Sequence, residues 1–161
     1  MVDTKINKVK MDTVENYLKG LVEWRKSMSK PNGWKYSCVE DFVLTNGRPM
    51  ELGPWKKEFG KRGRMKMCYK NAYSLADRQG LIYCEGIAFS IIPTIHAWCL
   101  CDEGKVIDPT WRDGKDYFGV EIPLRIVQDI MLQKKSYGVI DAWEIGSPLL
   151  SGKIELLKSG R

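Results

Sequence analysis

Apolar residues near the start of the chain recur at the spacing of an α-helix. They extend from Val14 to Met28, and Pro31-Asn32-Gly33 then ends the pattern. Asp12-Thr13-Val14-Glu15 forms a capping box, in which the Asp12 carboxylate accepts an early helix N–H and Glu15 reaches back. We predict an amphipathic first helix whose apolar stripe belongs to the core: Val14, Tyr17, Leu18, Leu21, Val22 and Met28.

A second helix is predicted over residues 67–79, with Gly80 as its left-handed cap. Cys68 lies in the first turn and shares one face with Ala72 and Ala76. Residues 34–64, between the two helices, show a weaker pattern broken by Gly and Pro, and we predict mostly loop there.

Residues 82–91 alternate in side-chain size, which is typical of a β-strand. Large residues stand at 83, 87, 89 and 91, and small ones at 84, 86, 88 and 90. The small side is predicted to let the helix that carries Ala72 and Ala76 approach closely.

Two further strands are predicted after Pro93, over residues 96–101 and 105–109, joined by Asp102-Glu103-Gly104. A last helix is predicted from Pro123 to about residue 135, and Val139-Ile140 is a candidate short strand. A helix followed by hairpin-linked strands predicts an α+β domain with an antiparallel sheet.

Length and composition favour one globular domain over residues 1–161, because 43% of the residues are hydrophobic and 29% are charged. The first eighteen residues lack the apolar core of a secretory signal, and no stretch is long and apolar enough to span a bilayer. We therefore expect a cytoplasmic protein without a membrane partner. Its five cysteines are expected to be reduced.

The net charge of +6 is concentrated in one segment. Residues 54–70 hold seven basic residues against one acidic residue, 7 − 1 = +6, so the rest of the chain is neutral. Such a segment favours an anionic partner, although a solvated loop is equally compatible with the pattern. The predicted patch is Lys56, Lys57, Lys61, Arg62, Arg64 and Lys66.

The chain has a single histidine, His96, so any imidazole chemistry near neutral pH must use it. A three-residue hairpin loop with Gly104 in the left-handed position pairs Trp98 with Asp108. Asp108 then lies on the same face as His96, roughly 7 Å away at the backbone. A two-residue loop would place them on opposite faces, so the predicted pair depends on Gly104.

Cys68 is the candidate nucleophile. At a helix N-terminus a thiolate is stabilised by unpaired N–H groups and the helix dipole, and the preceding basic segment adds to this field. Asp108 would orient the His96 ring, which would take the thiol proton. The alternative is that Cys68 is only a small buried residue and that Asp108 only ends a strand.

Four stretches of the chain resemble the core of transglutaminase-like and papain-like cysteine proteins. They lie between residues 68 and 111: Cys68-Tyr69-Lys70-Asn71-Ala72, Tyr83-Cys84-Glu85-Gly86, His96-Ala97-Trp98 and Val106-Ile107-Asp108-Pro109-Thr110-Trp111. Small bacterial and phage proteins share this pattern, and the maturation peptidases that cut lasso-peptide precursors are similar around the hairpin. The His-Ala-Trp and Asp-Pro-Thr-Trp motifs are moderately specific, whereas the motif around Cys68 is weak.

The resemblance implies a central helix packed on an antiparallel sheet. It also implies a hydrolase or acyl transferase that forms an acyl-enzyme on Cys68, with His96 as base then acid and Asp108 as orienting group. The substrate would be a peptide, protein or other acyl compound, and neither a cofactor nor a metal is expected. Residues 53–67 contain no Gln or Asn, so the oxyanion donors would be the Cys68 N–H with Asn46 or Trp55.

Four neighbours of the motif residues are candidate substrate contacts. Trp98 and Trp111 would line the site and exclude water, although a tryptophan in a strand is more often a core residue. Glu85 would bind a substrate cation, although a salt bridge to a basic residue of the chain is the favoured alternative. Asn71 would hydrogen-bond in the site or in the core.

Two other classes of protein remain open. In one, the chain is a non-catalytic module whose basic segment binds nucleic acid or an acidic protein, with an affinity that falls with salt and ignores Cys68. In the other, Cys84, Cys99 and Cys101 hold zinc with His96. The zinc site is disfavoured, because Cys99 and His96 face opposite sides of one strand and no C-x-x-C motif is present.

Overall fold

Four helices and five strands form the framework of residues 13–156, the part of the chain described by this computed structural model. The helices are α1 (Val14–Arg25), α2 (Val39–Asn46), α3 (Cys68–Gln79) and α4 (Leu124–Lys134), and 3₁₀ turns lie at Lys57–Phe59 and Trp143–Ile145. The strands are β1 (Arg48–Met50), β2 (Ile82–Phe89), β3 (Pro93–Leu100), β4 (Val106–Ile107) and β5 (Asp116–Glu121).

The strands form one sheet in the order β1-β5-β2-β3-β4, and each neighbouring pair is antiparallel. The predicted α+β class with an antiparallel sheet is therefore confirmed. In the described part of the chain, no helix has the length and apolar character needed to cross a membrane.

The sheet curls so far that its two edges are joined by the chain that follows β1. Glu51 accepts a hydrogen bond from the N–H of Val106 in β4, and Gly53 donates one to the carbonyl of Val106, each at 2.8 Å. Since β1 and β4 are the outer strands, these bonds hold the sheet as a half-barrel. The inside of the curl holds a small apolar group, which we call the inner cluster: Met50, Cys84, Ala88, Trp98, Leu100, Val106 and Tyr117.

The outer face of the sheet is covered by the four helices and carries the main core. Tyr83 and Ile87 of β2 pack there with buried helix residues. These include Leu18 of α1, Phe42 and Val43 of α2, Leu75 and Ala76 of α3, and Val127 and Ile130 of α4. Each helix contributes an apolar stripe to this core.

The prediction that the small side of β2 faces α3 is wrong. Ala88 lies in the inner cluster, whereas Ile87 on the large side packs with Ala72 of α3 in the main core. The indole of Trp98 fills the inside of the curl, where a Cβ on Gly119 of β5 would lie 2.4 Å from its Cζ2 atom. Small residues are needed on that side because the indole occupies the space.

The prediction of mostly loop over residues 34–64 missed α2 and β1, although irregular chain makes up much of the rest of this range. Helix α2 has only eight residues, and Phe42 and Val43 are buried in the main core. Helices this short depend on tertiary packing rather than on intrinsic propensity, which is why the local pattern was too weak to indicate it.

The other three helices lie close to their predicted positions. The N-cap of α1 is Thr13, whose side chain accepts a hydrogen bond from Asn16 N at 3.2 Å, while Asp12 lies outside the described residues. A long-range cap is added by Asp116 of β5, which accepts from Val14 N at 2.7 Å. Helix α3 ends as predicted at Gly80, which has φ 67°.

Candidate active site

Cys68 is the first residue of α3, so it lies in the first turn of the helix as the sequence predicts. The first helical bond runs from Asn71 N to Met67 O at 2.9 Å, so the amide of Cys68 is among those without an acceptor inside the helix. The thiol is half-buried. Unpaired N–H groups and the positive end of the helix dipole stabilise negative charge at this position.

The predicted hairpin register is confirmed and brings His96 to Asp108. Cys99 pairs with Ile107, Leu100 pairs with Val106, and Gly104 has φ 72° in the loop. His96 Nε2 and Asp108 Oδ2 are 2.8 Å apart, and each side chain is only 1% exposed. A buried imidazole and carboxylate at this distance form a charge-assisted pair.

Both oxygens of Asp108 are fully engaged. Besides His96, Oδ2 accepts from the Tyr117 hydroxyl at 2.8 Å, and Oδ1 accepts from the backbone N–H groups of Thr110 at 2.8 Å and Trp111 at 2.9 Å. Burial raises the pKa of Asp108, but the hydrogen bonds and the charge of His96 outweigh it, so the pKa is lowered. Burial and the Asp108 charge raise the pKa of Tyr117, which keeps its hydroxyl a donor.

The His96 ring interacts with both other predicted residues. Burial lowers the pKa of His96, but the hydrogen bond to Asp108, the nearby Cys68 thiol and the Asp108 charge together raise it by more, so the net pKa is raised. Nε2 is engaged with Asp108, and Nδ1 is the other nitrogen of the ring. The structure thus places all three predicted catalytic residues in one group.

The two candidate tryptophans differ in their relation to this group. The Trp111 ring stacks on the imidazole, with centroids 3.8 Å apart and an interplanar angle of 15°. Trp98 is fully buried in the inner cluster, 6.1 Å from the imidazole, and its Nε1 points to Met50 Sδ at 3.3 Å. Trp111 therefore shields the ring directly, whereas Trp98 belongs to the packing behind it.

Asn71 supports the site rather than facing a substrate. Its amide nitrogen donates to Thr110 Oγ1 and to the carbonyl of Arg64, both at 2.9 Å. A Cβ on Gly63 would lie 2.1 Å from Asn71 Oδ1, so any larger residue here would displace the Asn71 amide. Asn71 thereby ties the start of α3 to the chain after Asp108.

Glu85 does not belong to the site, which corrects the sequence prediction. It is opposite Ala97 on the outer face of the sheet, whereas His96 points to the inner face. Its buried carboxylate accepts from the Tyr83 hydroxyl at 2.6 Å and from the N–H groups of Val139 at 2.7 Å and Ile140 at 3.1 Å. No ion pair to Glu85 occurs within residues 13–156.

This role of Glu85 also explains why Val139-Ile140 is not a strand, contrary to prediction. The two N–H groups bond to a carboxylate instead of a neighbouring strand. Burial raises the pKa of Glu85, and the three hydrogen bonds oppose that rise.

The basic segment lies beside the site. Arg62 Nε donates to the carbonyl of Asp108 at 3.1 Å, and Gly63 N donates to Pro109 O at 2.8 Å. Arg62 is half-buried, and the other five members of the predicted patch are exposed: Lys56, Lys57, Lys61, Arg64 and Lys66. Across the described ranges, none of the six forms an ion pair.

The two side chains considered as oxyanion donors are used elsewhere. Trp55 Nε1 donates to Gly60 O at 3.0 Å, and Asn46 Nδ2 donates to Phe42 O at 2.9 Å. The backbone N–H of Cys68 remains as the predicted donor.

Tyr117 and the anchored position of Arg62 were not predicted from the sequence. Tyr117 comes from β5, a strand that was not predicted, so no local signal pointed to it. Arg62 was visible only as one of several basic residues.

The alternative zinc site is contradicted by the positions of the cysteines. Cys84 lies in the inner cluster, and Cys99 lies in the main core, where its thiol contacts Ala72 O at 3.2 Å. Side chains on opposite faces of a sheet cannot bind one ion. In the described stretch, no three His, Cys, Asp or Glu side chains lie close enough together to hold a metal ion.

Comparison of the chain with protein-family models, with curated proteins and with solved structures finds no match.

Proposed function

We propose that the protein is a cysteine-nucleophile hydrolase or acyl transferase of the transglutaminase-like and papain-like kind. Cys68 is the nucleophile, His96 the general base and then acid, and Asp108 the group that orients the ring. The proposal rests above all on the buried pair of His96 Nε2 with Asp108 Oδ2 at 2.8 Å, together with the influence of the Cys68 thiol on the pKa of the same ring.

Such an arrangement moves one proton per step. Nδ1 of His96 takes the thiol proton as the sulfur of Cys68 bonds to a carbonyl carbon, and the oxygen of that carbonyl becomes an oxyanion near the N–H of Cys68. The protonated ring then gives its proton to the leaving group, and a thioester remains. Water or an amine, losing a proton to His96, attacks the thioester and releases the thiol.

The pairing of His96 with Asp108 favours proton transfer from the Cys68 thiol to the His96 ring. The carboxylate holds the proton on Nε2, so Nδ1 keeps the lone pair that accepts the thiol proton, and the carboxylate stabilises the imidazolium that forms. Its own four hydrogen bonds fix the orientation before substrate binds.

Acylation of the purified protein with 4-nitrophenyl acetate, followed by peptide mass mapping, tests the proposal. We expect acetylation at Cys68 that is lost in Cys68→Ala and slowed in His96→Ala. Cys101 is equally half-buried and lies outside the site, so Cys101→Ala is the matched control and should leave acetylation of Cys68 unchanged. Equal acetylation of both cysteines, or a rate indifferent to His96, contradicts the proposal.

A second candidate function is supported by the exposed basic segment, whose side chains have no ion-pair partners within residues 13–156. It is a non-catalytic module that binds nucleic acid or an acidic protein. Its binding would weaken steeply with salt and would be the same for Cys68→Ala.

A further inference from the structure

Arg62 is held firmly at one end while its terminal nitrogens stay available. Its Nε donates to the main-chain carbonyl of Asp108 at 3.1 Å, and its guanidinium lies 4.4 Å from the centre of the Trp55 ring. No residue between 13 and 156 accepts a hydrogen bond from the two terminal nitrogens, and neither is among the buried polar atoms that lack a partner, so both reach the surface. The fork of the guanidinium therefore has donors left for a ligand.

The ring under Arg62 is itself anchored. Trp55 Nε1 donates to Gly60 O at 3.0 Å, and its ring packs edge-on against Phe59 with centroids 5.4 Å apart. Phe59 is 4% exposed and belongs to the main core. This chain of contacts orders the Arg62 side chain on folding, so little further entropy is lost when a ligand binds.

The surroundings of Arg62 attract negative charge. Five exposed cations lie on the same short segment, and Arg62 is bonded to the backbone of the residue that orients His96. Their combined field raises the local concentration of an anionic molecule near the site.

We propose that Arg62 binds a carboxylate of an acidic polypeptide whose acyl group reacts at Cys68, an inference that rests on the proposed function. A planar guanidinium matches a carboxylate through two parallel hydrogen bonds. A nucleic acid also offers anionic oxygens, but it has no acyl carbon for a sulfur to attack. Asp or Glu side chains close to the reacting carbonyl are therefore the chemistry that Arg62 recognises.

Binding is tested in the Cys68→Ala protein, which cannot be acylated at that position. Fluorescence anisotropy compares a labelled oligoglutamate peptide with an oligoglutamine peptide of equal length and with oligothymidylate. We expect the glutamate peptide to bind most tightly and Arg62→Gln to weaken it about 10- to 100-fold. Arg62→Lys keeps the charge but cannot form the two parallel hydrogen bonds of a guanidinium, so its affinity should lie between those of the native chain and Arg62→Gln.

Arg125→Gln removes the same charge from an exposed position on α4 and is the matched control. It should change the affinity less than about twofold, because screening limits the effect of a distant surface charge. Equal binding of both peptides, an equal loss in Arg125→Gln, or tightest binding of oligothymidylate overturns the proposal.

Turnover separates this inference from the proposed function. With aminocoumarin amides of Glu-Glu and Gln-Gln peptides, the native chain should prefer the first, and Arg62→Gln should remove the preference. Acetylation of Cys68 in the native chain reports on the proposed function independently. If Cys68 is not acylated but peptide binding still depends on Arg62, the catalytic function is wrong and the carboxylate site stands.

Discussion

The substitution Asp108→Asn removes the charge that faces His96 while keeping the size of the side chain. Four donors converge on the carboxylate at 2.8–2.9 Å. The amide oxygen can still accept from the N–H groups of Thr110 and Trp111, but the amide nitrogen must face the ring and the Tyr117 hydroxyl. The charge-assisted bond from the ring is lost, whereas the Tyr117 hydroxyl can turn to accept from the amide, so we expect the free energy of unfolding to fall by about 1.5–3 kcal/mol.

The size of this loss depends on pH. The pKa of His96 is raised in the folded protein, so its contribution is complete below its ordinary value of 6.5 and disappears as pH rises through the folded pKa. The pKa of Asp108 is lowered, so its contribution is present above its ordinary value of 3.8 and disappears as pH falls through the folded pKa. The destabilisation by Asp108→Asn should therefore be largest between pH 3.8 and pH 6.5, the ordinary pKa values of the two groups.

The single histidine makes the measurement direct, because the imidazole proton signals in NMR belong to His96 alone. We expect a lower pKa of His96 in Asp108→Asn than in the native chain, since the carboxylate no longer stabilises the imidazolium. Urea unfolding at about pH 5 and about pH 9 should show the larger loss at the lower pH. The iodoacetamide reaction of Cys68 should also slow, because the ring loses the tautomer that accepts the thiol proton.

Asp102→Asn removes the same charge from the exposed hairpin turn and should leave the His96 titration unchanged. An unaltered pKa of His96 in Asp108→Asn, or a stability loss as large at about pH 9 as at about pH 5, refutes the reasoning about the pair.

Two further substitutions test the contacts that support the site. Glu85→Ala leaves a buried hydroxyl and two buried N–H groups without an acceptor, so urea unfolding should show a loss of about 3–5 kcal/mol, and Glu85→Gln a smaller one. A loss below about 1 kcal/mol in Glu85→Ala argues against the stabilising role of these three hydrogen bonds. Gly63→Ala should cost about 1–3 kcal/mol because its Cβ displaces Asn71, whereas Gly20→Ala, in open space within α1, should stabilise. Equal effects of both alanines contradict the tight contact at Gly63.

Much of the candidate site follows from short-range rules. The left-handed Gly104 and the three-residue loop determine the register of the hairpin, and the register puts His96 and Asp108 on one face. The helix beginning at Cys68 and ending at Gly80 likewise depends on local signals. These elements are predicted well because the residues that specify them are close together in the chain.

The supporting contacts join distant parts of the chain, and the local pattern holds no signal for them. Glu85 binds N–H groups that lie 54 and 55 residues further on, and Arg62 bonds to a carbonyl 46 residues away. The sequence showed an unexpected carboxylate on a large-residue side and a run of basic residues, but not their partners.

By itself, the sequence determined the α+β class, the hairpin register and three residues with complementary chemistry, because turn geometry and strand alternation act over a few residues. Only the tertiary structure decided which face of β2 the helices cover, where β5 inserts Tyr117 beside Asp108, and how Arg62 is anchored. The physical reason is that the Trp98 indole fills the inside of the curled sheet, so only small side chains of β2 fit there and its large side chains face the helices. That choice is made by packing between segments far apart in the chain, and hydrophobic periodicity within one segment carries no information about it.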